Sequence, residues 1–257
     1  MKLLNDKFSL DSFFERLCTA EKPLLMLDYD GTLSPFTTDR ESAYPYHELI
    51  PAMERLFESD KTRVVIISGR SIESLKGLLE FDRLPELWGC HGLERLTRDG
   101  EHSVMPLEDA VNERLGELYP WISQNGLIDI AEFKPSGAAF HWRGRPENLV
   151  NEIRDKVLNR WQGEIENSGL EIHNFDGGVE IRVAGTNKST PVKTLLEQTD
   201  GNIPAAYLGD DFTDEDAFGA LKGRGLSVLV RPQLRDTAAD LWLQPPSELS
   251  DFFQRWP

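Results

Sequence analysis

The sequence predicts an α/β fold, a Rossmann-like parallel sheet core interrupted by an inserted α+β domain, and three observations predict it. Short apolar runs at Leu24–Leu27, Arg63–Ile67 and Ala205–Leu208 read as strands buried on both faces, the mark of a parallel sheet. Each run stops at polar residues, and helical patterns separate one run from the next, which is the rhythm of strand and crossover. Between about Pro106 and Ala184 that rhythm gives way to helices and hairpins. The core is therefore expected in residues 1–105 and 185–257, and a separate α+β unit in residues 106–184.

Taken in order, Ser9 to Ala20 set Leu10, Phe13, Phe14 and Leu17 at helical spacing behind a Ser9 cap. The strand Leu24–Leu27 follows Pro23 and ends at Asp28. Pro51 to Ser59 reads as a helix with Met53, Leu56 and Phe57 on one face. The β-branched strand Arg63–Ile67 runs into Ser68-Gly69-Arg70, and Ser71 to Leu79 reads as the next helix. Leu87 to Glu94 is a third apolar segment closed by Gly89, Gly92, His91 and Glu94, and Arg95 to Ser103 reads as a hairpin centred on Asp99-Gly100. In the insertion, Leu107 to Ser123 and Pro146 to Trp161 read as helices, Asp129 to Trp142 as two strands around Lys134-Pro135-Ser136-Gly137, and Leu170 to Val183 as a hairpin turning at Asp176-Gly177-Gly178. The first rhythm then resumes. A helix opens at Asn187-Lys188-Ser189 and runs to about Gln198, a strand Ala205–Leu208 ends in Gly209-Asp210-Asp211-Phe212-Thr213-Asp214-Glu215-Asp216, Gly225 to Val230 reads as the last strand, and Leu249 to Trp256 as a closing helix.

Composition narrows the partners. The chain has 257 residues, 39% hydrophobic and 28% charged, ordinary values for a folded globular protein. With 28 Lys and Arg against 44 Asp and Glu, its net charge of −16 disfavours nucleic acid and anionic membrane. A phosphate-bearing substrate would need local Lys, Arg, metal or backbone N–H groups against that field. The two cysteines, Cys18 and Cys90, lack metal-ligand spacing and fit a reduced setting in which both serve as small apolar residues, with a structural disulfide as the alternative. Met1 to Leu10 lacks the apolar core of a signal peptide and no run approaches a membrane span. A cytoplasmic monomer is expected.

The chemistry lies where the strands stop, because ligands of an open parallel sheet bind outside the carboxyl ends of its strands. One strand ends in Asp28 and Asp30, one in Ser68, one in Asp210 and Asp211. Carboxylates so crowded repel unless a cation lies among them, and Mg²⁺ suits all-oxygen ligands while bridging to phosphate. An aspartate can also attack phosphorus itself. Lys188, at a helix start, would supply fixed positive charge. Taken singly, each has a plain alternative: an acidic turn, a helix cap with a surface arginine, a surface lysine, and for His91 a turn residue between glycines. Glu132, Lys134, Ser136, His141, Arg143, Glu180 and Arg182 in the insertion suit polyol binding or a solvated strand face.

Asp28-Tyr29-Asp30-Gly31-Thr32, Ser68-Gly69-Arg70, Lys188 and Gly209-Asp210-Asp211 with Asp214 together resemble the four motifs of the haloacid dehalogenase superfamily of phosphatases. The insertion resembles the cap of trehalose-6-phosphate phosphatases, with Gly89-Cys90-His91-Gly92-Leu93-Glu94, Glu132-Phe133-Lys134, His141-Trp142-Arg143, Glu180-Ile181-Arg182 and Asn187-Lys188 as the particular matches. Two departures are Ser189, where a glycine usually follows the lysine, and Trp142, where tyrosine is common. The resemblance implies an HAD-like core with a cap, a Mg²⁺-dependent phosphatase and a small-molecule sugar phosphate as partner. It implies Asp28 as nucleophile, Asp30 as acid and then base, and Ser68 and Lys188 as phosphoryl ligands. Mg²⁺ would be held by Asp28, the Asp30 carbonyl and Asp210, with Asp211 and Asp214 in direct or indirect support. Glu132, Lys134 and Glu180, then Arg143 and Arg182, are expected to bind the sugar, and Gly69, Arg70 and His91 to contribute to substrate binding. Closure of the cap is expected to expel bulk water. Phosphatases of glucosylglycerol phosphate, mannosyl-3-phosphoglycerate or sucrose phosphate share the core and stay open as alternatives, as do a phosphotransferase and a silent sugar-phosphate sensor.

Overall fold

A computed structural model describes residues 1–37, 39–165, 168–175 and 177–257. The chain forms two compact units, Met1–Ser103 with Asn187–Pro257, and Val104–Thr186. In chain order the first unit runs β1 (Lys2–Leu3), α1 (Leu10–Thr19), β2 (Leu24–Leu27), α2 (Ile50–Glu58), β3 (Arg63–Ile67), α3 (Ile72–Leu78), β4 (Glu86–Gly89), β5 (Glu94–Leu96) and β6 (His102–Val104). The second unit holds α4 (Asp109–Gln124), β7 (Ala131–Lys134), β8 (Gly137–His141), α5 (Glu147–Trp161), β9 (Leu170–Phe175) and β10 (Gly178–Val183). The chain then returns through α6 (Ser189–Glu197), β11 (Ala205–Gly209), α7 (Glu215–Leu221), β12 (Leu226–Val230), β13 (Leu241–Leu243) and α8 (Ser247–Gln254).

The large sheet has the order β1-β13-β12-β11-β2-β3-β4-β5-β6, parallel from β13 through β4. Side chains alternate across it, as a pleated strand requires. Leu25, Leu27, Val64, Ile66, Ala206 and Leu208 pack with α1, α2, α3 and α8, while Leu24, Met26, Val65, Ile67, Ala205 and Tyr207 pack with α6 and α7. Both faces being covered, the central strands are apolar throughout, and the first hydrophilic residues occur where they emerge at the C-terminal edge. The Ser9 hydroxyl caps α1 by accepting the Ser12 N–H, and the Ser71 hydroxyl caps α3 by accepting that of Ser74.

Three elements escape the sequence reading. Gly225–Val230 is not the last strand: β13, three residues long, lies beyond it and pairs with the two-residue β1. Runs that short show no periodicity. The acidic run after β11 continues into α7, whose first turn carries Glu215 and Asp216. Acid there complements the helix dipole, so charge that reads as ligand-like also marks a helix start. Cys90 is buried, but Cys18 is exposed on α1, so it is not an apolar packing residue, and the two do not form a disulfide.

In the second unit the sheet order is β7-β8-β10-β9, all antiparallel. One face meets the helices, with Trp121 of α4 edge-on to Phe140 and to Trp161 of α5. Register places Glu132, Ala139, Glu180 and His173 in one row of the other face, and Lys134, Gly137, Arg182 and Glu171 in the next. Gly137 has φ +149°, and a Cβ there would stand 1.9 Å from the Ile181 carbonyl oxygen, so only glycine fits. Of the turn predicted at Asp176-Gly177-Gly178, Asp176 lies outside the described residues. Among the described residues no helix is long and apolar enough to cross a membrane.

Candidate active site

Parallel register brings the tips of β2, β3 and β11 out along one edge of the large sheet. Asp28 is fixed there by its N–H, which donates to the Leu208 carbonyl at 2.8 Å. The chain then folds back, and the Tyr29 carbonyl accepts the N–H groups of Thr32, Leu33 and Ser34 at 3.3, 2.9 and 3.1 Å. Gly31, at φ +84°, makes that turn possible, and a Cβ on it would lie 2.4 Å from Asp210 Oδ2. The two acidic strand ends thus approach each other across a space that only glycine leaves open.

Asp214 ties the constellation together. Its Oδ2 accepts the N–H groups of Asp210 and Asp211, both at 2.9 Å. Its Oδ1 accepts the Lys188 ammonium at 2.7 Å and the Tyr207 hydroxyl at 2.6 Å. Lys188 reaches on to Asp28 Oδ1 at 2.6 Å, and the Thr32 hydroxyl donates to Asp28 Oδ2 at 3.3 Å. Asp211, by contrast, turns away to cap the next turn through the Phe212 N–H.

Asp28, Asp210 and Asp214 are all buried and offer carboxylate oxygens within 4.8 Å of one another. Three carboxylates against one ammonium leave two negative charges, the deficit a divalent cation would balance. Asp210 supplies the independent sign: both its carboxylate oxygens are buried without a hydrogen-bond partner among the described residues, a costly state that metal ligation would relieve. Without a cation, burial pushes the Asp28 carboxyl up to about 7, with Lys188 opposing and Asp214 reinforcing the rise. Burial, then Asp28 and Asp214, hold Asp210 well above the ordinary carboxylate range. Burial works to lower the Lys188 ammonium, but Asp214 and Asp28 outweigh it and keep it charged. The donor set fits a divalent metal, which Asp28 and Asp210 would face, while Asp214 accepts the Asp210 N–H and shares the Lys188 ammonium with Asp28.

Ser68, at the tip of β3, is 1% exposed. Its hydroxyl accepts the Arg70 N–H at 3.1 Å, leaving its own proton free to donate. A tight turn clasps this tip: the Cys90 N–H donates to the Arg70 carbonyl at 2.7 Å and the His91 N–H to that of Ser68 at 2.9 Å. Cys90 and His91 hold φ of +50° and +55° to do so, at a cost of about 1 kcal/mol each. The His91 ring lies over Gly69, where a Cβ would come within 2.7 Å of it. Glu94 braces the turn, Oε2 accepting the Ile72 N–H at 2.9 Å and the Cys90 thiol at 3.3 Å. Arg70 carries its guanidinium to Asp30.

Two arginines that sequence reasoning missed grip the third strand tip. Arg231 donates to the Asp210 carbonyl at 3.1 Å, and Arg235 to that of Asp211 at 2.7 Å while also pairing with Glu215 and covering the Phe212 ring. What they hold at the strand tip is main-chain carbonyl, so no spacing in the sequence points to them.

The remaining predicted residues belong to the smaller unit. Lys134 and Glu180 form a buried ion pair at 2.7 Å, and His141 Nε2 stands 3.0 Å from Glu132. Arg182 pairs with Glu171 at 2.7 Å, and Arg143 packs against Gly177. Ser136 keeps a buried hydroxyl oxygen with no partner among the described residues.

Residues 26–244 match the family model described as trehalose-phosphatase. The chain is 30% identical over 258 residues to the trehalose-phosphate phosphatase of Mycobacterium marinum, covering 92% of this chain and 62% of that one. It therefore spans about three fifths of the length of that relative. It is also 30% identical to the probable trehalose-phosphate phosphatase H of Arabidopsis thaliana, with 96% and 76% covered. In fold it is similar to the C-terminal domain of C. albicans trehalose-6-phosphate phosphatase, with a TM-score of 0.76 over 98% of each chain at 21% identity.

Proposed function

The chain belongs to the trehalose-phosphatase family of the haloacid dehalogenase superfamily, and from that premise we propose that it hydrolyses trehalose 6-phosphate to trehalose and phosphate, with Mg²⁺ as the resident cation. The observation that carries the proposal is the buried set Asp28, Asp210 and Asp214 around Lys188. A binding protein gains nothing from burying three carboxylates together, whereas phosphoryl transfer needs a nucleophile, a cation and fixed positive charge at one place.

An Asp28 oxygen attacks phosphorus in line, and its new P–O bond forms as the bond to the sugar oxygen breaks. Asp30 gives that oxygen a proton, so trehalose leaves as the alcohol. The same Asp30 carboxylate then takes a proton from water, whose oxygen attacks phosphorus, and the bond to Asp28 breaks to release phosphate. Ser68 donates its hydroxyl proton to a phosphoryl oxygen. Lys188 offsets the repulsion between an anionic nucleophile and an anionic phosphoryl group. Asp28, Asp210 and the Asp30 carbonyl would hold Mg²⁺, which would supply charge neutralisation for the phosphoryl group. Asp214 supports that set by accepting the N–H groups of Asp210 and Asp211. Sugar recognition falls to Glu132, Lys134 and Glu180, with Arg143, Arg182, His91 and Gly69 contributing.

Phosphate release from a panel of phosphorylated sugars, with Mg²⁺ and with chelator, tests the reading. Trehalose 6-phosphate should be the best substrate, chelator should stop release and Mg²⁺ should restore it. Faster release from sucrose phosphate, glucosylglycerol phosphate or mannosyl-3-phosphoglycerate reassigns the substrate. No Mg²⁺-dependent release from any ester ends the hydrolase reading.

A further inference from the structure

We infer that Arg70 is a positioning residue for Asp30, aiming the carboxylate that moves the proton rather than binding substrate. The inference rests on the acid–base role proposed above for Asp30. Three contacts join the two side chains: Arg70 Nε lies 3.0 and 2.8 Å from Asp30 Oδ1 and Oδ2, and Nη2 lies 2.7 Å from Oδ1. Such a fork fixes the plane as well as the position of a carboxylate. The burial is lopsided, with the Arg70 side chain 1% exposed and that of Asp30 37%. A half-exposed aspartate on a turn would otherwise choose among rotamers, and the buried partner chooses for it.

The guanidinium is itself held from several sides. Nη1 donates to the Ser74 hydroxyl on α3 at 3.2 Å, and Cζ lies 5.7 Å from the centroid of the Tyr29 ring. Tyr29 is pinned in turn by its hydroxyl, which donates to the Ala43 carbonyl at 2.8 Å. Along the main chain, the Arg70 N–H donates to Ser68 Oγ and its carbonyl accepts the Cys90 N–H. One residue thus ties the turn that carries Asp28 and Asp30 to the turn that carries Ser68. A group so seated would have to leave its socket to meet a phosphoryl oxygen or a sugar hydroxyl.

A double-mutant cycle on the Mg²⁺-loaded enzyme decides the matter. Arg70→Met and Arg70→Lys are measured alone and with Asp30→Asn, for kcat and KM on trehalose 6-phosphate and on nitrophenyl phosphate. Arg70→Met should lower kcat on the sugar ester about 10- to 100-fold, the loss expected when an acid–base group is misaimed, with KM little changed. The loss should be smaller on nitrophenyl phosphate, whose leaving group needs no proton. In the Asp30→Asn background it should disappear, and Arg70→Lys should recover part of the rate. If Arg70→Met fails to fold, Ser74→Ala, which unseats Nη1, should give a weaker loss with the same leaving-group pattern and the same dependence on Asp30. A rise in KM at unchanged kcat in both backgrounds makes Arg70 a substrate ligand and overturns the inference, as do losses that add with those of Asp30→Asn. If Asp30→Asn alone keeps full activity, the acid–base reading fails as well, and that outcome is visible without touching Arg70.

Discussion

At the strand tips of the larger unit, Asp28, Asp210 and Asp214 crowd together, a single ammonium bridges Asp28 and Asp214, and Asp210 has no partner for either oxygen among the described residues. On the four-stranded sheet of the smaller unit, Lys134 meets Glu180, His141 meets Glu132, and Arg182 meets Glu171. The first group is electrically incomplete without something from outside the chain, while the second contains its own counter-charges. On the roles proposed above, the contrast separates chemistry from recognition. A site that must hold a cation and a phosphoryl dianion would be left short of positive charge, whereas one that hydrogen-bonds neutral hydroxyls can rest with its charges paired and exchange those pairs for ligand.

The contrast breaks most sharply at the nucleophile. Asp28→Asn should reduce phosphate release by at least about 10⁴-fold with circular dichroism unchanged, and near-normal turnover in the purified variant would remove Asp28 from the role. Asp30→Asn comes next, with a loss of about 10²- to 10⁴-fold that is larger for the sugar ester than for nitrophenyl phosphate; equal losses would deny it the leaving-group proton. In the smaller unit, Glu180→Ala should lower kcat/KM for trehalose 6-phosphate by about 10- to 100-fold, the worth of a hydrogen bond to a charged group, and spare nitrophenyl phosphate. Similar damage to both substrates would mean that the paired face does not read the sugar. The smallest effect is on stability. Because the folded carboxyl of Asp28 sits near 7 against an ordinary 3.8, the cation-free fold binds protons more tightly than the unfolded chain. Its contribution to stability is therefore full below about pH 4 and is lost as pH rises to about 7. Mg²⁺ should replace those protons, so its stabilisation, about 2.7 kcal/mol at a hundred times its Kd, should be clear near pH 8 and faint near pH 5. Melting curves with equal Mg²⁺ shifts at both values would separate the ion from these carboxylates.

The sequence made the larger unit's site legible because its logic is one-dimensional: a buried strand must be apolar, so the first carboxylate after Leu27, or after Leu208 and Gly209, marks where the chain surfaces. Ser68 follows Ile67 by the same rule. What the sequence hid was tertiary. Arg231 and Arg235 hold main-chain carbonyls, a role with no residue-type signature. The αL turn at Cys90 and His91 is imposed by two hydrogen bonds to the Ser68 tip and not by any preference of those residues. The strands β1 and β13 are too short to carry a period. On the smaller unit, alternation predicts which residues share a face, and the sheet order then lets Lys134 reach diagonally across β8 to Glu180, 46 residues further along the chain. That pairing lies outside what spacing along a chain can express.

Asp214 accepts from two amides, an ammonium and a phenol, joining the tip of β11, the head of α6 and the buried flank of the sheet through Tyr207. The amide protons of Asp210 and Asp211 are consequently both held by one buried carboxylate. They should trade with deuterium only when the whole unit opens, at the slow rate of the central strands and not at the fast rate of a surface loop. On the function proposed above, activity and fold should therefore be lost together on heating.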